Sequence, residues 1–101
     1  MAVVKYQIIY WRDIPAQVKI RDGRKRVSRP LPTRFEQAID RAAMHSGAIN
    51  SDEYLAEWRH SEWEEREGDP VEIAEALVAE LDVAYSRDDL RDIAKNGGHK
   101  L

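Results

Sequence analysis

The chain has 101 residues, of which 43% are apolar and 35% charged, and a net charge of −3. That length supports one domain, residues 1–101, with a modest core, and the absence of cysteine removes disulfides, thiol nucleophiles and cysteine-ligated metal. No apolar run approaches the roughly 18 residues of a membrane span, and the opening MAVVKYQ has neither a basic leader nor a small-residue cleavage site, so a cytoplasmic protein is expected.

Charge is unevenly distributed. Residues 1–34 carry nine Lys/Arg against two Asp, and residues 35–101 carry seven Lys/Arg against seventeen Asp/Glu. The near-neutral total therefore hides a dipolar chain. Either the two halves neutralise each other in the fold, or a basic sheet end faces a partner while acidic helices face water.

In chain order, Val4, Tyr6, Ile8 and Tyr10 alternate with Val3, Lys5, Gln7, Ile9 and Trp11, the period of two of a β-strand. An Arg12-Asp13-Ile14-Pro15 corner follows, with Pro15 ending the strand, and Ala16, Val18 and Ile20 resume the alternation. Asp22-Gly23 is a hairpin signal because Gly tolerates positive φ. Arg29-Pro30-Leu31-Pro32 reads as extended. Thr33 and Glu36 have the spacing of a capping box, Phe35, Ala38, Ile39, Ala42 and Ala43 form an apolar helical stripe, and Ser46-Gly47 closes that helix.

Residues 53–63, EYLAEWRHSEW, fit a strand through Tyr54, Ala56 and Trp58 or a helix through Tyr54, Leu55 and Trp58; the aromatics favour the strand. The polar run Glu62 to Glu67 then crosses to the next element. Asp69-Pro70 with Glu72 starts a helix in which Ala74, Leu77, Val78, Leu81 and Tyr85 keep helical spacing. Ser86 caps a last helix carrying Leu90, Ile93 and Ala94, which stops at Asn96-Gly97-Gly98. The order β-β-α-β-α-α predicts an α+β fold, a small antiparallel sheet with helices packed on one face.

Candidate recognition residues fall into three groups. Lys19, Arg21, Arg24, Lys25, Arg26 and Arg29 crowd one turn with Asp22 as the sole acid, and a basic ribbon of this kind can track phosphates or simply blunt a strand edge. Trp11, Arg12 and Asp13 place an aromatic, a cation and an anion at one corner, as a rim recognition site or as a self-satisfied turn. Trp11 and Trp58 read as half-buried core residues whose indole N–H reaches a carbonyl, whereas Trp63, amid Glu62, Glu64 and Glu65, reads as an exposed contact aromatic. His45, His60 and His99 have no metal-ligand spacing, and no glycine-rich phosphate loop or nucleophile elbow occurs, so no catalytic residue, metal or cofactor is expected.

Several strings carry a resemblance. YWRDIPAQV at 10–18, RFEQAIDRAAM at 34–44, YLAEW at 54–58 and Gly68-Asp69-Pro70 together make the chain similar, over nearly its whole length, to the bacterial virulence factor domain, which also occurs at the end of a longer conserved virulence factor. The resemblance supplies no catalytic residue. It implies, through the usual gene company of short members, an accessory protein for methyl transfer between tetrahydrofolate and corrinoid proteins, with a methyltransferase or corrinoid protein as partner. The expected function is thus a non-catalytic adaptor using Arg24, Lys25, Arg26, Trp63 and the Trp11–Asp13 corner; a nucleic-acid-binding module built on the basic hairpin is the second reading and an uncharacterised enzyme the third.

Overall fold

The computed structural model describes residues 3–47 and 52–100. Strands β1 (Val3–Trp11), β2 (Ile14–Asp22) and β3 (Lys25–Pro30) form an antiparallel meander. Helix α1 (Thr33–Ser46), the short α2 (Asp52–Ala56), strands β4 (Trp58–His60) and β5 (Glu64–Glu67), and helices α3 (Pro70–Ala84) and α4 (Arg87–Lys95) follow. The sheet runs β3-β2-β1, and β4 and β5 share the far edge of β1. This is the α+β fold read from the sequence, with its element order kept and further elements inserted.

The alternation of β1 and β2 decides which face is buried. Val4, Val18, Ile20 and Val27 pack against Ile73, Ala74 and Leu77 of α3, with Tyr6 and Ile8 at the margin. The second cluster joins Trp11, Ile14 and Leu31 to Phe35, Ile39 and Ala42 of α1 and to Tyr85, Leu90 and Ile93 around α4. Val78 and Leu81 of α3 touch both clusters, making one continuous core. Burial of a side chain such as Phe35 contributes about 2–3 kcal/mol.

The helix ends follow local chemistry, with one correction. Asp69 accepts from the N–H groups of Val71 and Glu72 and Pro70 takes the first turn, while Ser86 and Asp89 make a reciprocal capping box. Thr33, expected to cap α1, is its first helical residue instead: Pro32 occupies the cap position and no side-chain cap bond forms. Proline's fixed φ makes it a ready entry to a helix, so the cap lies one residue earlier than the Thr33–Glu36 pair suggests.

Three further expectations change. Pro15 does not end β1; it sits inside β2, opposite Tyr10, where a register shift lets the ladder tolerate its missing N–H. Residues 53–63 are not one strand: Tyr54 and Ala56 belong to α2, and only Trp58–His60 pair, with Trp11–Ile9. The run Glu62 to Glu67 is more than a crossing, because Glu64–Glu67 pairs with Tyr6–Val3 as β5. Along this edge His60 opposes Ile9 and Glu64 opposes Tyr6, one residue more than β1 offers. The excess bulges at 61–63, where the Ser61 hydroxyl accepts from the N–H of Ile8 at 2.9 Å and the Ser61 N–H donates to the Ile8 carbonyl.

The β1–β2 turn is Arg12-Asp13 alone. Arg12 has φ 53 and is only 7% exposed. Its Nη1 donates to the Gly97 carbonyl at 2.6 Å and its Nη2 to Glu53 at 3.0 Å, and Glu57 lies 3.7 Å from its Nε. Asp13 receives the Lys100 N–H and the Arg59 guanidinium. Trp11 beside it is fully buried, its indole N–H donating to the Tyr54 carbonyl at 2.8 Å, and Gly98 (φ 96) lies so close that a Cβ there would be 3.0 Å from the indole.

Two predictions follow from these ties. Arg12→Ala loses about 2–3 kcal/mol of stability in urea unfolding, because the Gly97 carbonyl and the Glu53 carboxylate are left without their guanidinium donor; Arg12→Gly loses about 1 kcal/mol less, since glycine accepts the positive φ. A loss below about 0.5 kcal/mol for Arg12→Ala would show that the turn is not a structural tie. At the opposite end, Arg66 hydrogen-bonds Glu80 at 2.7 Å and holds its carboxyl below the usual range. A lowered folded-state value stabilises fully above the unfolded glutamate range near ~4.3 and ceases to do so as pH falls through the folded value. The melting-temperature gap between the parent and Glu80→Gln should therefore be present at neutral pH and close in acid; a pH-independent gap would refute the ion pair's role.

Candidate binding face of the sheet

The face of the sheet opposite α3 bears the side chains of the other strand parity. Across it, Glu65, Lys5, Arg21 and Arg26 stand opposite one another on β5, β1, β2 and β3, and in the next row Gln7, Lys19 and Ser28 do the same. Lys5, Lys19, Arg21 and Arg26 are exposed. Among the described residues none of these four enters an ion pair of 4 Å or less. The face is graded, acidic at β5 and basic from β1 to β3.

A shallow cavity of about 310 Å³ lies within the basic part, lined by Gln7, Lys19, Arg21, Arg26, Ser28 and Trp63. Trp63 is 43% exposed and is placed there by the 61–63 bulge, with the Arg21 guanidinium 5.8 Å from its ring centre. Gln7 forms the polar floor: buried, it donates through Nε2 to the Ser61 carbonyl at 3.0 Å and contacts Nδ1 of His60 at 3.1 Å. Those two contacts hold the residues leading into Trp63.

The residues singled out from the sequence separate into two places. Trp11, Arg12 and Asp13 lie at the α2 end, where their polar atoms are committed to Tyr54, Gly97, Glu53, Arg59 and Lys100, so the corner is a structural joint. Arg24 and Lys25 sit at the exposed tip of the β2–β3 hairpin, whose turn uses Gly23 at φ 59. Arg26 and Trp63, thirty-seven positions apart in the chain, line the same cavity. Trp58, expected to be half-buried core, is instead 38% exposed, because its strand is a three-residue edge beside α2; it stacks edge-on against Tyr54. Sequence reading passed over Lys5, Gln7, Lys19 and Arg21 as a set. The shared parity of Lys19 and Arg21 in β2 and of Lys5 and Gln7 in β1 was the available signal.

Tyr6, Tyr10 and Tyr54 supply no base. Tyr6 is pushed above the ordinary phenol range, first by its hydrogen bond with Glu64, and Tyr10 and Tyr54 are pushed up first by burial. All three are phenols at neutral pH. Among the described residues no group of three or more His, Asp or Glu is arranged to hold a metal. No described helix is long and apolar enough to cross a membrane.

A family profile described as "Virulence factor" matches residues 9–94, most of the chain. The chain belongs to the virulence factor family. The match spans β1 from Ile9 to Ala94 in α4, and so covers the hairpin, the bulge with Trp63 and all four helices. No curated protein and no solved structure matches the chain.

Cations facing one another across strands without counter-ions cost stability, in the range of a few tenths to about 1 kcal/mol per pair. Arg26→Glu turns the Arg21–Arg26 repulsion into attraction. It should raise stability by about 0.5–1 kcal/mol at low salt, with the gain shrinking as salt screens the pair. Thermal melts at two ionic strengths check this; a destabilised variant would mean that Arg26 has a stabilising contact of its own.

Proposed function

We propose that this member of the virulence factor family is a non-catalytic accessory protein that docks an acidic partner surface on the open face of its sheet. The observation that carries this reading is the basic cavity, in which Lys19, Arg21 and Arg26 surround an exposed tryptophan with no acidic residue in its lining. Such a patch steers an acidic surface by its field and anchors it through the aromatic, with Arg24 and Lys25 at the hairpin tip extending the field outward. The host system consistent with the family resemblance is cytoplasmic methyl transfer between tetrahydrofolate and corrinoid proteins, with a methyltransferase or corrinoid protein as the partner.

Nucleic acid is the second reading, and one contact favours it. Arg21 already lies over the Trp63 ring, the cation–aromatic platform on which single-stranded bases stack. Against it stands the acidic margin formed by Glu65 and Glu67 on the same face, which repels a continuous polyanion.

The tagged full chain retained on a column from its own cell extract should recover methyltransferase or corrinoid-protein subunits at low salt. The combined Arg21→Glu and Arg26→Glu variant, and separately Trp63→Ala, should lose them with melting temperature preserved. Recovery of nuclease-sensitive material that disappears at moderate salt would replace this reading with the second. Retention of the partner by both variants would remove the open face from the interaction.

A further inference from the structure

A second basic cavity lies elsewhere on the molecule and shares no residue with the open sheet face. It measures about 320 Å³ and is lined entirely by α1 and α4. Ala38 and Ala94, both buried, lie among its lining with Leu90, and small residues of this kind let two helices approach closely. Four arginines stand around it: Arg34 and Arg41 one heptad apart on α1, and Arg87 and Arg91 one turn apart on α4. Gln37 adds a neutral polar group between them.

The charges of these arginines are unequally answered. Arg34 pairs with Asp82 and also donates to the carbonyls of Asp82 and Tyr85, which ties α1 to the end of α3. Arg91 lies near Asp88 and Asp92. Arg41 and Arg87, both exposed, enter no ion pair with any described residue. The groove is thus left with two uncompensated cations. The guanidinium of Arg34, by contrast, is committed to the fold, lying over the Phe35 ring with its Nε shut away from water, so Arg41 and Arg87 are the cations the groove offers.

We infer that the α1–α4 groove binds the dianionic head of a small phosphate monoester. The charge fits, two unanswered guanidiniums against a dianion. The donor geometry fits as well, since guanidinium forks present paired N–H groups to phosphate oxygens. The volume is at the lower end for small-molecule sites, room for a phosphate and a short carbon body. The apolar atoms of Ala38, Leu90 and Ala94 give that body a surface to rest on, which distinguishes the ester from free phosphate.

The test is calorimetric titration of the full chain with glycerol 3-phosphate, inorganic phosphate and sulfate at matched ionic strength. Glycerol 3-phosphate should bind saturably and more tightly than inorganic phosphate. Arg41→Gln and Arg87→Gln should each weaken it about tenfold while leaving the melting temperature of the free protein unchanged. Arg21→Glu, on the open sheet face, should leave the affinity unaltered. Equal affinity for the ester and inorganic phosphate would overturn the assignment to an ester. Absence of saturable binding by either, or binding indifferent to both glutamine variants, would overturn the site itself.

Discussion

The architecture depends on one buried cation. Arg12 occupies a two-residue turn with a backbone conformation that side-chain-bearing residues rarely adopt, and it keeps that conformation because everything around the turn is fastened to it. Its guanidinium holds the tail at Gly97 and α2 at Glu53, its N–H donates to the Glu57 carbonyl, and its own carbonyl accepts from Arg59 of β4. Elements distant in sequence thereby meet at one residue. Because β4 is held there, the chain that follows runs back along β1, so the bulge and β5 fall where they do. Trp63 reaches the open face as a consequence of this joint at the far end of the sheet.

The distribution of charge in space differs from its distribution in sequence. The basic first third and the acidic remainder do neutralise each other, but at selected places: Arg12 with Glu53, Arg34 with Asp82, and, within the acidic part, Arg66 with Glu80. These pairs bind the layers together. Lys19, Arg21 and Arg26, of the opposite strand parity, enter no ion pair of 4 Å or less among the described residues, and the pairing of the strands holds them side by side on one surface. A fold selected for stability alone gains nothing by opposing Arg21 to Arg26. Charge that opposes folding and lies around an exposed aromatic is the observation on which the proposed docking role rests.

Much of this fold was legible. The period of two from Val4 to Tyr10, the Asp22-Gly23 turn, the Asp69-Pro70 start and the Ser86 cap are local signals, and local physics fixes each of them. What was hidden depends on distant partners. Glu64–Glu67 has no apolar alternation, and it becomes a strand because β1 offers an unpaired edge. The segment 53–63 divides between helix and strand because Tyr54 must serve Trp11 while Trp58 pairs across from it. The candidate face was half visible. A run such as Arg24-Lys25-Arg26 stands out as a string, yet Lys25 and Arg26, adjacent in β3, point to opposite faces, and of the three only Arg26 lines the cavity. Lys19 with Arg21 was the better signal, and only the pairing of strands adds Lys5 and Arg26 to it.

The same distinction separates the two basic surfaces. On the sheet the cations are presented by backbone alternation, on a broad and shallow surface suited to another macromolecule. Between α1 and α4 they are presented by helical spacing around a confined space, where Arg34 has spent its Nη groups on the fold and retains a buried Nε. An extended acidic surface cannot enter the second, and a small anion gains little from the first, where water screens each charge. Strand parity and helix periodicity thus gather arginine and lysine, in a chain whose net charge is −3, onto two separate surfaces of different shape.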